Sequence, residues 1–125
     1  MSRRRARPTS HDDALAHRAD HCADDGGDPH AAALLRRARR LARDRDYRKA
    51  ALALRELTAR CPDARAYALL GDMLRRARRD EEAVAAFKEA MWLQRQAGAQ
   101  GRVRTLARLI LAIDPADAKV ARLAA

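Results

Sequence analysis

The feature that most restricts the fold of this chain is a match with itself under a single constant shift. An offset of 33 pairs Leu34 with Tyr67, Ala38 with Gly71 and Leu41 with Leu74. The same shift pairs Ala50 with Ala83, Leu54 with Phe87 and Leu57 with Ala90. Within each half the apolar positions recur every three to four residues, the period of a helix face. One shift serving two successive periodic segments describes a two-helix unit that is copied once. Small residues (Ala38, Gly71) fall where two helices approach closely, and larger ones fill the gaps between them.

A partial third copy follows. Val103, Ala107, Ile110 and Pro115 repeat the spacing of Ala50, Leu54, Leu57 and Pro62, at an offset of 53 from the first unit. This shift falls well short of two full repeats, so the third copy has no first helix of its own. The helix carrying Val84, Phe87, Ala90, Met91 and Leu93 is expected to end one unit and begin the next. A second apparent repeat is misleading. Arg36-Arg37-Ala38-Arg39-Arg40 recurs as Arg75-Arg76-Ala77-Arg78-Arg79, but at an offset of 39, out of register.

Local signals place the helix ends. Asp28-Pro29 supplies an N-cap and a first-turn proline, and Asp46 and Asp63 are further caps. Cys61-Pro62 ends a helix because the residue before proline disfavours the helical region. Asp80-Glu81-Glu82 puts acids at the positive end of the next helix dipole. Gly98 and Gly101 are expected to break the chain before a fifth helix over 102–113, which stops at Asp114-Pro115. A short sixth helix, 117–123, is expected to cap the open end through Val120 and Leu123. With connections this short, neighbouring helices run antiparallel.

The second unit, Tyr67-x-x-Leu70-Gly71-x-x-Leu74 followed by Ala83-x-x-x-Phe87-x-x-Ala90, resembles the tetratricopeptide repeat (TPR) family. The first unit keeps Tyr47, Ala50 and the terminal Pro62. The resemblance covers residues 31–115, about two and a half repeats. It implies an all-α, TPR-like array of antiparallel helix hairpins, a short right-handed solenoid. It also implies a protein-binding adaptor that uses the concave face lined by the first helix of each unit. The family's groove positions correspond to Leu35, Arg39, Ala42 and Arg43 in unit one. In unit two they are Arg65, Ala68, Asp72, Arg75 and Arg76. Lys88, Trp92 and Arg95 join them if the fourth helix doubles as a first helix. The clamp that some members close on a terminal carboxylate is absent, since Leu35, Arg39 and Leu69 stand there. A basic groove with one aromatic implies an acidic peptide or helix of a partner protein.

Charge gives the second organising principle. The chain has 125 residues and a formal charge of +10. Residues 1–10 carry four arginines and no acid, residues 11–30 carry six aspartates against Arg18, and the remainder is strongly basic. The expected division is a mobile N-terminal tail over 1–27, with a short helix around 12–22, and a helical domain over 28–125. The acidic stretch is a candidate to lie across the basic groove and compete with the partner. His17, His21 and Cys22 are the candidate metal ligands, but their spacing matches no established zinc signature, and no metal is expected.

Other classes are set aside. Aromatics make up 3% of the residues and β-branched types are sparse, which disfavours a sheet. Two cysteines make no disulfide framework, which favours a reducing compartment. The basic start runs into Asp12 and Asp13 instead of an apolar export segment, so a cytoplasmic protein is expected. No apolar run is long enough for a membrane span. No Gly-rich phosphate loop, nucleophile grouping or carboxylate pair points to catalysis or to a cofactor. The alternative is a basic helical nucleic-acid-binding protein, using Arg3–Arg7 with 36–43 and 75–79. Few aromatics are available to stack bases, and the acidic stretch would repel phosphates. Trp92 is expected either to anchor a partner or to pack on the fifth helix through Leu106 or Leu109. Leu34 and Leu35 mark a candidate self-association surface.

Overall fold

Among the described residues, aspartate side chains start four of the helices. Asp28 accepts from the backbone N–H groups of His30 and Ala31, Asp46 from Lys49, Asp63 from Ala66, and Asp117 from Val120. Each bond satisfies an amide that the helix itself leaves without a partner. The protein, described over residues 28–125 by a computed structural model, is all-helical there, with no strand among the described residues. The expected tail, its helix, its metal ligands and its contact with the groove lie outside the described residues.

Among the described residues six helices follow one another: α1 (Pro29–Arg43), α2 (Tyr47–Arg60), α3 (Ala64–Arg76), α4 (Asp80–Gln96), α5 (Gln100–Ile113) and α6 (Ala118–Ala124). Every extensive helix contact is between sequence neighbours, from α1 on α2 to α5 on α6. Linkers this short force each helix to fold back on the last. The core runs along the whole series. Phe87, Leu54, Leu57, Leu74 and Ile110 are its largest fully buried side chains.

The internal repeat is visible in the backbone. After α1, Arg45 takes a left-handed conformation (φ 61°). Its N–H donates to the carbonyl of Ala42, and that of Asp46 donates to Leu41. Arg78 (φ 65°) and Gly98 (φ 76°) do the same after α3 and α4, with Arg79 donating to Leu74 and Ala99 to Gln94. These paired bonds close the last helical turn. Positions 45, 78 and 98 reproduce the offsets of 33 and 53 found in the apolar pattern.

A second kind of turn recurs too. Cys61 (φ −131°, ψ 81°) and Asp114 (φ −129°, ψ 83°) each precede a proline and end α2 and α5 in nearly identical conformations. Their N–H groups donate to Leu57 and Ile110, a pair related by the same offset of 53. α4 therefore begins like a copy of α2 and ends like a copy of α1. Its 17 residues are more than either parent helix has. The turns at its two ends thus match those before α2 and after α1.

Burial follows the same register. Ala50, Ala83 and Val103 are buried, as are Leu54, Phe87 and Ala107, and Leu57, Ala90 and Ile110. Ala38 and Gly71 are buried, whereas Tyr67 and Leu41 are half-buried. At Gly71 the backbone lies so close to α4 that an added Cβ would sit 2.8 Å from the Phe87 ring. One expectation needs correction: Gly101 breaks nothing and is the second residue of α5, which starts at Gln100. An added Cβ there would meet no atom within 4 Å, so the position is open and helical. Gly98 alone makes the turn.

Ion pairs add ties between the helices. Arg60 at the end of α2 reaches back to Asp28 at 3.1 Å, and Arg55 of α2 pairs with Glu82 of α4. No helix among the described residues is long and apolar enough to cross a membrane. Cys61 is buried and no described cysteine is a free thiol, so cysteine usage lends no support to a reducing compartment.

Candidate functional site, a groove between α4 and α6

The spacing of Lys88, Trp92 and Arg95 puts all three on one face of α4. That face borders α6, and the two helices enclose an open groove of about 600 Å³. Met91 and Val120 lie along its base, and Lys119 and Leu123 of α6 form the opposite wall. Val120 is buried and seats α6 on the core.

Asp117 fixes the geometry. Its carboxylate accepts the N–H of Val120 at 3.1 Å, starting α6, and accepts Lys88 Nζ from α4 at 2.8 Å. The Lys88 ammonium, helped by the Val120 amide, holds the Asp117 carboxyl below the usual aspartate range. One side chain thus caps one helix and ties it to another. The short sequence separation from Pro115 makes this arrangement reachable without a long loop.

Trp92 is 53% exposed, although it sits beside the buried Met91. Only Leu52 is a comparably exposed large apolar side chain among the described residues. The residues that share the groove with Trp92 come from α4 and α6, not from Leu106 or Leu109 of α5. Covering the exposed half of an indole contributes on the order of 3 kcal/mol before the costs of association.

Charge is graded along α4. At its N-terminal end Asp80, Glu81 and Asp114 surround a separate hollow of about 460 Å³ that also touches Lys88. At the Trp92 end, Arg95 and Lys119 outnumber Glu89 once Lys88 and Asp117 have paired. An elongated acidic ligand would therefore be oriented as well as held.

The other expected groove residues are arranged differently. Arg39 and Arg43 are exposed on α1, and Arg65 is half-buried on α3. Asp72 pairs with Arg75 at 3.1 Å and with Arg76 at 3.3 Å. The Arg76 guanidinium lies 5.6 Å from the centre of the Tyr47 ring and is held still more firmly charged by Tyr47 and Asp72. Asp72 thus neutralises part of the basic set, and Arg76 is directed towards the start of α2. Neither α1 and α3 nor α4 and α6 share an extensive contact, and the Lys88–Asp117 pair is what ties α4 to the start of α6. Leu35, expected on the groove, is buried together with Leu34. Of the expected set, the structure brings Lys88, Trp92 and Arg95 to one groove and ties Asp72 to Arg75 and Arg76.

The wall from α6 is not anticipated by the sequence, which marks that helix only as a cap. Lys119 and Leu123, one turn apart on a short amphipathic segment, are the available signal. His30 is exposed in the first turn of α1, and among the described residues no three His, Cys, Asp or Glu side chains are grouped to hold a metal ion. No protein-family model, no curated protein and no solved structure matches the chain. The functional reading rests on this geometry.

Proposed function

We propose that the chain is a non-catalytic protein-interaction adaptor, a short TPR-like array that receives an acidic peptide or helix of a partner protein. The observation that carries this is Trp92, half-exposed in an open groove that also holds Arg95 and Lys119. A large aromatic kept in water, with cations around it, suits a ligand that has both an apolar residue and carboxylates. The TPR-like arrangement is supported by the two turn types that recur at offsets of 33 and 53. In this reading the binding face includes the groove formed by α4 and α6, which Lys88, Trp92 and Arg95 line.

Calorimetric titration with an amphipathic peptide built from Glu and Leu tests the proposal, with duplex DNA as the second titrant. One-to-one peptide binding that weakens as salt rises is the expected result. Tighter binding to DNA, unaffected by Trp92→Ala, would favour the basic nucleic-acid-binding alternative and overturn the adaptor reading.

A further inference from the structure

We propose that the hollow where α4, α5 and α6 meet is an anion subsite, which takes a phosphate monoester on the peptide that occupies the Trp92 groove. The source of the phosphate rests on the adaptor reading above; the anion subsite itself does not.

Three arginines from three different helices line this hollow of about 250 Å³: Arg95 of α4, Arg104 of α5 and Arg122 of α6. Among the described residues, no Asp or Glu side chain lines it. Arg95 and Arg122 stand in the last turns of their helices, where the dipole favours cations. Arg104 does not share that explanation. It is the fifth residue of α5, near the positive end, and the first turn of α5 contains no acid. The hollow therefore concentrates positive charge, and at Arg104 that charge opposes the helix field as well.

A compact dianion relieves both effects. Guanidinium groups match phosphate oxygens with paired N–H donors, and three of them suit two negative charges better than one. The start of α5 adds to this, because no side chain caps it and Gly101 leaves its backbone open to approach.

The hollow borders the groove. Arg95 and Leu123 line both. A peptide with an apolar residue on Trp92 reaches the three arginines with a neighbouring side chain, which makes the peptide the source of the phosphate.

The test uses two amphipathic Glu/Leu peptides that differ only in one serine, phosphorylated or not, with Trp92 fluorescence as the readout. The phosphorylated peptide is expected to bind about tenfold tighter. That advantage should vanish in Arg104→Gln/Arg122→Gln, while affinity for the unphosphorylated twin stays the same. Equal affinities, or an advantage that survives the double substitution, would overturn the subsite. A second arm titrates inorganic phosphate against chloride at matched ionic strength and follows backbone amide shifts. Phosphate-specific shifts confined to the segments that line the hollow, 95–104 and 122–125, and lost in the double variant, are expected. Absent or scattered shifts overturn the subsite even if neither peptide binds, an outcome that would overturn the adaptor reading separately. Free phosphate binding as tightly as the phosphopeptide would overturn the peptide as its source.

Discussion

Arg45 and Arg78 stand one repeat apart and share a left-handed backbone, with φ of 61° and 65°. An L-residue carries a steric cost there that glycine avoids. The third member of the set, Gly98, shows what the turn prefers. Arg45→Gly and Arg78→Gly should each stabilise the protein by about 0.5–1 kcal/mol, after allowing for the greater freedom of glycine in the unfolded chain. Gly98→Ala should destabilise it by about 1 kcal/mol. Urea denaturation of the three variants measures all of this.

Gly71 and Phe87 are coupled by their close approach. Gly71→Ala alone should cost about 1–3 kcal/mol, because the ring is fully buried and has little room to move. Adding Phe87→Leu recreates Ala38 and Leu54, the residues of the first unit at the same repeat positions. The double variant should therefore lose clearly less stability than the two single effects added together. A double-mutant cycle by chemical denaturation reads that coupling; simple additivity would speak against the shared register.

Acid sensitivity follows from two aspartates. Arg60 and the Ala31 amide hold Asp28 below the ordinary aspartate value, as Lys88 and the Val120 amide hold Asp117. A depressed carboxyl contributes stability that is present above its unfolded pKa, about 4, and is lost as pH falls through the folded value. Melting temperature should thus decline below about pH 4. In Asp28→Asn/Asp117→Asn, which keeps the capping oxygens, the decline should be shallower and the neutral-pH melting temperature lower. Thermal melts across the acid range up to neutrality, on both proteins, check the difference.

Much of this architecture is readable from the chain because the punctuation is chemical. Asp28-Pro29, Asp46, Asp63 and the prolines after Cys61 and Asp114 each act within a turn of where they stand. Gly101 misleads because glycine in an exposed first turn costs a helix little, and α5 starts before it. Arg45 and Arg78 are hidden for a different reason: arginine carries no signature of the left-handed turn. Their alignment with Gly98 at offsets of 33 and 53 contains that information. The site is less legible than the fold, since a groove depends on which helix closes it. Lys88, Trp92 and Arg95 can be grouped by helical spacing alone. The opposite wall at Lys119 and Leu123 depends on how Asp117 and Val120 seat α6, a tertiary relation.

Trp92 is the chain's only tryptophan, so its fluorescence reports on the proposed site with no other indole emitting. On addition of an acidic amphipathic peptide, the emission should shift to the blue in a saturable way as the indole leaves water. Trp92→Ala should weaken binding of the same peptide, measured by calorimetry, about tenfold or more. Because the side chain is 53% exposed, that substitution should move the melting temperature by no more than a few degrees. An emission spectrum unchanged at saturation, with Trp92→Ala binding as tightly as the parent protein, would contradict the account.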